Sequence, residues 1–320
     1  MIYLNIIFFF IFAFLTVFLS IKISVLADSL SNTSKVSKVL IGGILLAGVT
    51  ALPEFVTCLS AIVFKNPHLA VGDVLGSNLF NIFIISFFDI IFIRKMMFNK
   101  TKSSNFFIFV LLFGSYIFIL FFGNGNLSLL NIGIPTFIII GCYIIYLFLI
   151  KKRNVLEKEE SRFSYHKGII LKLVICSLFL IVSSVLLTIT VNNISNYYVH
   201  FSSSLIGAIL LGITTSLPEV ITFYTLVMLD NYDLALLNII GSNLFNLLVL
   251  ALGDFILVGN PIYKYSDKET LIMVFLGIIV TVIAFIQNLK SKSFNKFTYI
   301  IPSIVIVLLY LAFWFLNFVY

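Results

Sequence analysis

From Phe106 to Ile150 no Asp, Glu, Lys or Arg interrupts the chain. About 20 apolar residues carry a helix across a bilayer, so this one stretch is long enough for two crossings, and charge-free runs of similar length recur throughout. In hydrocarbon every backbone N–H and C=O must be satisfied within the segment, and a continuous apolar run does this as a helix. The composition agrees: 61% of residues are hydrophobic and 10% charged, with a mean hydropathy of +1.17, whereas a soluble domain is about half apolar and one quarter charged. The expected fold class is an all-α polytopic membrane protein with no soluble domain of useful size. Residues Met1 to Ser20 lack a basic leading region and run on into further apolar sequence, so they read as a first transmembrane helix and not as a signal peptide. Cys58, Cys142 and Cys176 all fall in apolar spans, which indicates neither a disulfide framework nor a thiolate metal site.

Ten helices are expected, at about 3–27, 38–63, 70–93, 105–122, 131–150, 168–191, 203–228, 235–257, 269–287 and 298–319. The net charge of +7 is explained by their connections. With the N-terminus outside, the inner loops and helix ends hold every basic residue except Lys65, Lys264 and Lys268. The excess of Lys and Arg on cytoplasmic loops then places both termini outside, in a plasma membrane by expectation. Nucleic acid is not needed to account for the charge, and no obligate protein partner is evident; the lipid bilayer is the expected surrounding.

The sequence also repeats itself. Shifted by 165 residues, "GGILLAGVTALPEFVT" (42–57) falls on "GAILLGITTSLPEVIT" (207–222), and "GDVLGSNLFN" (72–81) falls on "LNIIGSNLFN" (237–246) without a gap. Over 42–89 against 207–254, 19 of 48 positions are identical, too many for chance. Five helices per half is an odd number, so the second half enters the membrane in the opposite sense. The expected plan is two inverted five-helix repeats, 1–150 and 168–320, joined by a charged cytoplasmic linker at 151–167. Transporters built this way carry substrate at the repeat interface near the midplane.

What repeats is chemically pointed. Pro53 and Pro218 lack an N–H and free the carbonyls of Val49 and Thr214, and freed groups persist in a membrane only where they line a cavity or find partners. Glu54 and Glu219 follow at once. Ala47, Thr50 and Glu54 share a helix face by spacing, as do Gly212, Thr215 and Glu219, with Ser216 beside them. Ser77 and Asn81, and likewise Ser242 and Asn246, stand four apart. Gly76 and Gly241 allow close backbone approach, and Asn78 and Asn243 are expected to face away from the 77/81 side, in packing or helix–helix hydrogen bonds. The donors are all oxygen, with no His or Cys, which suits a hard cation. Bare facing carboxylates in a low dielectric repel and tend to take protons, so such a site holds Ca²⁺, several monovalent cations or protons.

These residues carry a resemblance. The "TALPE" and "TSLPE" segments with the two "GSNLFN" segments, in this order and over essentially the whole chain, resemble the two signature repeats of the sodium/calcium exchangers of the calcium/cation antiporter superfamily. The resemblance implies a ten-helix exchanger with no cofactor, transporting Ca²⁺ and Na⁺ by alternating access, three Na⁺ for one Ca²⁺. It implies Glu54 and Glu219 as principal Ca²⁺ ligands with the carbonyls of Thr50 and Thr215, and Na⁺ sites that add Ala47, Ser77, Gly212, Ser216 and Ser242. Helices 1 and 6 slide across this core in the family. Asn81 and Asn246 are expected at a central position, although several relatives have aspartate where this chain has Asn246. Asp73 stands where the other half has Asn238; the expectation is a helix-start residue near the outer surface, where an anion suits a helix N-terminus, against an ion-pathway carboxylate.

Two other readings use the same residues. A Ca²⁺/H⁺ exchanger needs only that protons replace sodium on Glu54 and Glu219. Asp89 and Asp254, also duplicated, invite an intramembrane aspartyl protease, but Ala251 stands where that pattern has glycine and no "PAL" follows; interfacial caps or vestibule residues account for them better. A passive channel is the third reading, and strict exchange stoichiometry excludes it.

Overall fold

The computed structural model describes residues 2–33, 51–101, 105–122, 128–129, 131–154, 167–198, 200–257, 259–289 and 295–319. Its helices, in chain order, are α1 (Ile2–Thr33), α2 (Leu52–Val63), α3 (Pro67–Ile91), α4 (Phe106–Phe122), α5 (Ile134–Asn154), α6 (Lys167–Tyr197), α7 (Ser203–Thr215), α8 (Leu217–Met228), α9 (Tyr232–Ile256), α10 (Lys268–Leu289) and α11 (Lys296–Val319). Among the described residues α1, α3, α6, α9, α10 and α11 are each long and apolar enough to span a membrane. Helices α7 and α8 together make a further span bent by 43°, and α2, α4 and α5 are shorter apolar helices. Among the described residues the only strands are β1 (Ser128–Leu129) and β2 (Ile132–Gly133), paired antiparallel as a small hairpin. Its turn residue Asn131 has φ +67°, which delays the fifth expected helix from 131 to Ile134. The three cysteines are free.

The 165-residue offset governs the element boundaries too. Helices α2 and α3 map onto α8 and α9 end for end. The turns joining each pair carry a left-handed residue at equivalent places, Lys65 (φ +60°) and Asp230 (φ +57°). In the first turn, Asn66 caps α3 by accepting from the Leu69 N–H at 3.2 Å, and Pro67 follows at the first helical position, where its missing N–H costs nothing. In the second, the Tyr232 hydroxyl and then the Lys95 ammonium hold the Asp230 carboxyl below its usual range. Lys95 reaches Asp230 at 2.9 Å and the Val227 carbonyl at 3.0 Å, tying the segment after α3 to the end of α8.

Burial separates a core from a periphery. In the most apolar stretch of α3 and of α9, 72% and 83% of residues are buried, whereas α1 and α6 bury 22% and 17% and pack largely on each other. At 1.5 Å per residue, α1 and α6 exceed the roughly 30 Å hydrocarbon thickness. The core helices touch backbone to backbone. Gly72 lies on the Ser204 backbone and Gly76 on Ala208, while a side chain on Gly212 would come within 2.8 Å of the Ser77 nitrogen and 3.0 Å of the Asp73 oxygen. Small residues are what allow helices to approach this closely in a membrane.

A substitution pair tests this contact. Gly72→Ala should lower stability by about 1–3 kcal/mol through overpacking. Gly114→Ala, in α4 with nothing within 4 Å of the added carbon, should leave it unchanged or raise it by up to about 1 kcal/mol. Thermal unfolding of the two variants in the same detergent measures both.

Candidate ion site

The site is built at two helix starts. Ser216 (φ −84°, ψ −2°) separates α7 from α8, and Ala51 (φ −85°, ψ 10°) precedes α2. Pro53 and Pro218 therefore do not kink continuous helices, as their position inside apolar runs suggests; they lie in the first turn of new ones. Inside α7, residues Gly207–Gly212 form a π-helical turn, a local widening that recurs at functional sites. The consequence is positional: Glu54 and Glu219 fall in the first turns of α2 and α8, where unpaired N–H groups and the helix dipole favour an anion.

The two halves then meet side chain to side chain. The Ser216 hydroxyl donates to Glu54 Oε1 at 3.2 Å, and the Ser77 hydroxyl to the Gly212 carbonyl at 3.2 Å, each crossing from one half to the other. Ser242 reaches Glu219 Oε1 at 3.4 Å, and the Thr215 hydroxyl turns back to the Leu211 carbonyl at 3.0 Å. Glu54, Ser77, Asn81, Thr215, Ser216, Glu219, Ser242 and Asn246 are all fully buried, and Gly212 is buried. Ala47 and Thr50, expected on the same face as Glu54, lie outside the described residues.

Asn78 and Asn243 correct the sequence reading in one respect. They do make helix–helix hydrogen bonds, but they do not face away from the 77/81 side. Each carboxamide donates to the other's backbone carbonyl, Asn78 to Asn243 at 3.1 Å and Asn243 to Asn78 at 3.0 Å. Asn81 donates to the Asn243 side-chain oxygen at 2.9 Å and Asn246 to that of Asn78 at 3.1 Å. The set is reciprocal, residue i to j and j to i, as at a twofold interface. Spacing on one helix put Asn78 off the face of Asn81; the close crossing of α3 and α9 lets one carboxamide serve both.

This lock uses the donors of Asn81 and Asn246 and leaves their Oδ1 atoms, like Glu54 Oε2, buried without a hydrogen-bond partner. Buried polar groups are normally satisfied. Here the unsatisfied atoms are acceptors, and no Lys, Arg or His is among the buried polar and charged residues described. Acceptor oxygens around anionic carboxylates, with no cationic side chain, form the donor set of a hard cation.

Asp73 is the residue that sequence reasoning misplaced. Helix α3 starts at Pro67, not at 70, so Asp73 sits well inside it and is fully buried. Its Oδ2 accepts from the Thr57 hydroxyl at 2.5 Å. The signal was present: Asp73, Ser77 and Asn81 are four apart and share a face. Asp89 and Asp254 act as caps. Asp89 binds Tyr299, Ser303 and Gln287 at 2.5, 2.6 and 3.0 Å, and the backbone of Met97, which opens a 3-10 turn (Met97–Lys100). Asp254 binds Thr136 and the Gly133 N–H at 2.6 and 2.8 Å, and at 2.6 Å the N–H of Ile262, which opens the equivalent turn. Each carboxylate is committed to its own loop, which leaves no shared dyad for peptide hydrolysis.

Comparison with known proteins decides the family. The model of the family described as "Sodium/calcium exchanger protein" matches residues 4–152 and again 169–319. The chain belongs to the sodium/calcium exchanger protein family. As a member it is an integral multi-pass membrane transporter and not an enzyme. It is similar to the inner membrane protein YrbG of Escherichia coli (strain K12), 26% identical over 78% of this chain and 79% of that one. Among solved structures, the H⁺/Ca²⁺ exchanger CAX superposes with a TM-score of 0.66 at 14% identity, over 98% of this exchanger and 88% of that chain. The sodium-calcium exchanger NCX_Mj, soaked with Na⁺ and Sr²⁺, gives 0.61 at 19% identity over 98% of both. At these identities the likeness is one of fold.

The asparagine lock gives a stability prediction. Asn243→Ala removes the partners of the Asn78 carbonyl and the Asn81 amide and should cost about 1–3 kcal/mol for each buried group left unpaired. A melting temperature equal to that of the unmodified exchanger would contradict this.

Proposed function

We propose that this exchanger is a secondary antiporter that moves Ca²⁺ against Na⁺ by alternating access, with Glu54 and Glu219 as the carboxylates that hold the cation. The observation that carries the reading is the pair of fully buried glutamates among acceptor oxygens, with no Lys, Arg or His among the buried residues described. Two such charges cannot stay bare in a low dielectric; one Ca²⁺, or monovalent cations in its place, neutralises them. Thr50 and Thr215 complete the Ca²⁺ shell through their carbonyls, Ala47, Ser77, Gly212, Ser216 and Ser242 serve Na⁺, and the open Oδ1 atoms of Asn81 and Asn246 face the central position. The architecture proposed is ten helices in two inverted repeats, 1–150 and 168–320, with the 151–167 linker in the cytoplasm and both termini outside. The reciprocal asparagine contacts and the repeated element boundaries support that symmetry, and the distribution of basic residues supports the orientation. Access alternates when α1 and α6 move across the core.

A second reading keeps the site and exchanges protons for Na⁺. The same lack of a basic counter-charge favours it, because protonation also neutralises a buried carboxylate.

The deciding experiment is ⁴⁵Ca²⁺ uptake into proteoliposomes loaded with Na⁺, with and without K⁺, beside a set driven only by a pH gradient. Uptake that requires the Na⁺ gradient is expected; uptake driven by the pH gradient alone moves the exchanger to the proton-coupled reading. Glu54→Gln and Glu219→Gln should each reduce uptake to background, and near-normal exchange in both would sink the site assignment.

A further inference from the structure

We propose that Asp73 and Thr57 form a second cation position beside the glutamates, one that takes a monovalent cation such as Na⁺ and exists in the first half of the chain only. The inference rests on the exchanger reading above.

Asp73 brings a third carboxylate to the site. Glu219 and Asp73 are the carboxylates that act electrostatically on Glu54, and all three are fully buried. One Ca²⁺ balances two of these charges and leaves the third. The local oxygens suit a small hard cation. Asp73 Oδ2 meets the Thr57 hydroxyl at 2.5 Å, and Oδ1 is buried without a hydrogen-bond partner. The Thr57 oxygen also lies 3.0 Å from the Pro53 carbonyl and 3.2 Å from that of Glu54. A threonine hydroxyl has one proton to give; shared between the helix carbonyls and Asp73, it leaves the carboxylate with Oδ1 unserved, and a cation supplies the balance. Among the described residues Asp73 does not gather with both glutamates closely enough for all three to hold one ion. Four residues separate Asp73 from Ser77, about 6 Å along the helix.

The other half lacks the feature. Asn238 replaces the acid, with both of its side-chain polar atoms buried and unpartnered, and the Thr222 hydroxyl turns back to the Pro218 carbonyl at 3.0 Å. The two halves are therefore unequal in charge at Asp73 and Asn238, both fully buried.

The test counts ions on the full-length protein in detergent at pH 8, by equilibrium dialysis of ²²Na⁺ without Ca²⁺ and of ⁴⁵Ca²⁺ separately. Asp73→Asn, which reproduces the side chain of Asn238, should bind one Na⁺ fewer per chain and keep its ⁴⁵Ca²⁺. Thr57→Val should keep the Na⁺ count and weaken its binding several-fold, a readout that stands even where Asp73→Asn does not fold. An unchanged Na⁺ count and affinity in both variants overturns the proposal, as does loss of ⁴⁵Ca²⁺ together with Na⁺ in monodisperse Asp73→Asn, which would place Asp73 in the Ca²⁺ site itself. Proton uptake by the unmodified chain alone, with equal Na⁺ counts, assigns the group to a proton and also overturns it. Glu54→Gln separates the two readings: if it retains ⁴⁵Ca²⁺ while Asp73→Asn still loses one Na⁺, the glutamate assignment fails and the Asp73 position stands.

Discussion

Burying negative charge without a positive side chain to answer it is the condition to which the rest of this molecule answers. An ion of carboxylate size loses several kcal/mol on leaving water, even after relaxation. Glu54, Glu219 and Asp73 lose that hydration inside the helical core. The compensation comes first from the backbone. Helices that start just after Ala51 and Ser216 place both glutamates in first turns, so each carboxylate meets the positive end of a dipole. Serine hydroxyls from both halves supply hydrogen bonds, and in the function proposed above mobile cations supply the rest.

That solution demands a rigid frame, because acceptor oxygens repel one another and spread unless held. Two devices hold them. Glycines at 72, 76, 207 and 212 bring α3 against α7 at backbone contact, and the four asparagines lock α3 to α9. The lock is economical in its use of atoms. Asn81 and Asn246 spend their N–H groups on the frame and leave their Oδ1 atoms buried without a hydrogen-bond partner. Farther out, Asp89 and Asp254 fasten the loops that follow α3 and α9 to their own helices.

The helices, the repeat and the glutamates were legible in the sequence because membrane physics leaves little choice: apolar length means helix, and an ionisable group inside such a run is conspicuous. What escaped the sequence depends on where elements start and cross. Asp73 was read as near the surface since its helix was begun at residue 70; Asn66 capping and Pro67 at the first position start it earlier, which carries Asp73 inward. The asparagine pair was read from one helix alone, and its role exists only between two. The apolar pattern runs straight through both prolines, so nothing in it marks the helix starts at Leu52 and Leu217. The π-helical turn at 207–212 has no periodic signature beyond a glycine at each end, and the small hairpin occupies residues too few to show alternation.

The pairing of α1 with α6 has a consequence of its own. These helices press mainly on each other, joined by the hydroxyl contact of Thr16 and Ser183 at 3.1 Å, and turn large apolar side chains such as Phe10, Phe14 and Phe179 outward. A pair that grips itself more than its neighbours travels as one body, and its outer surface is wetted by acyl chains. Their length beyond the hydrocarbon must be absorbed by tilt or by local deformation of the leaflet, at a fraction of a kcal/mol per Å. In the alternating-access cycle proposed above the lipid is thereby a mechanical component: thickening the bilayer changes the resting angle of this pair.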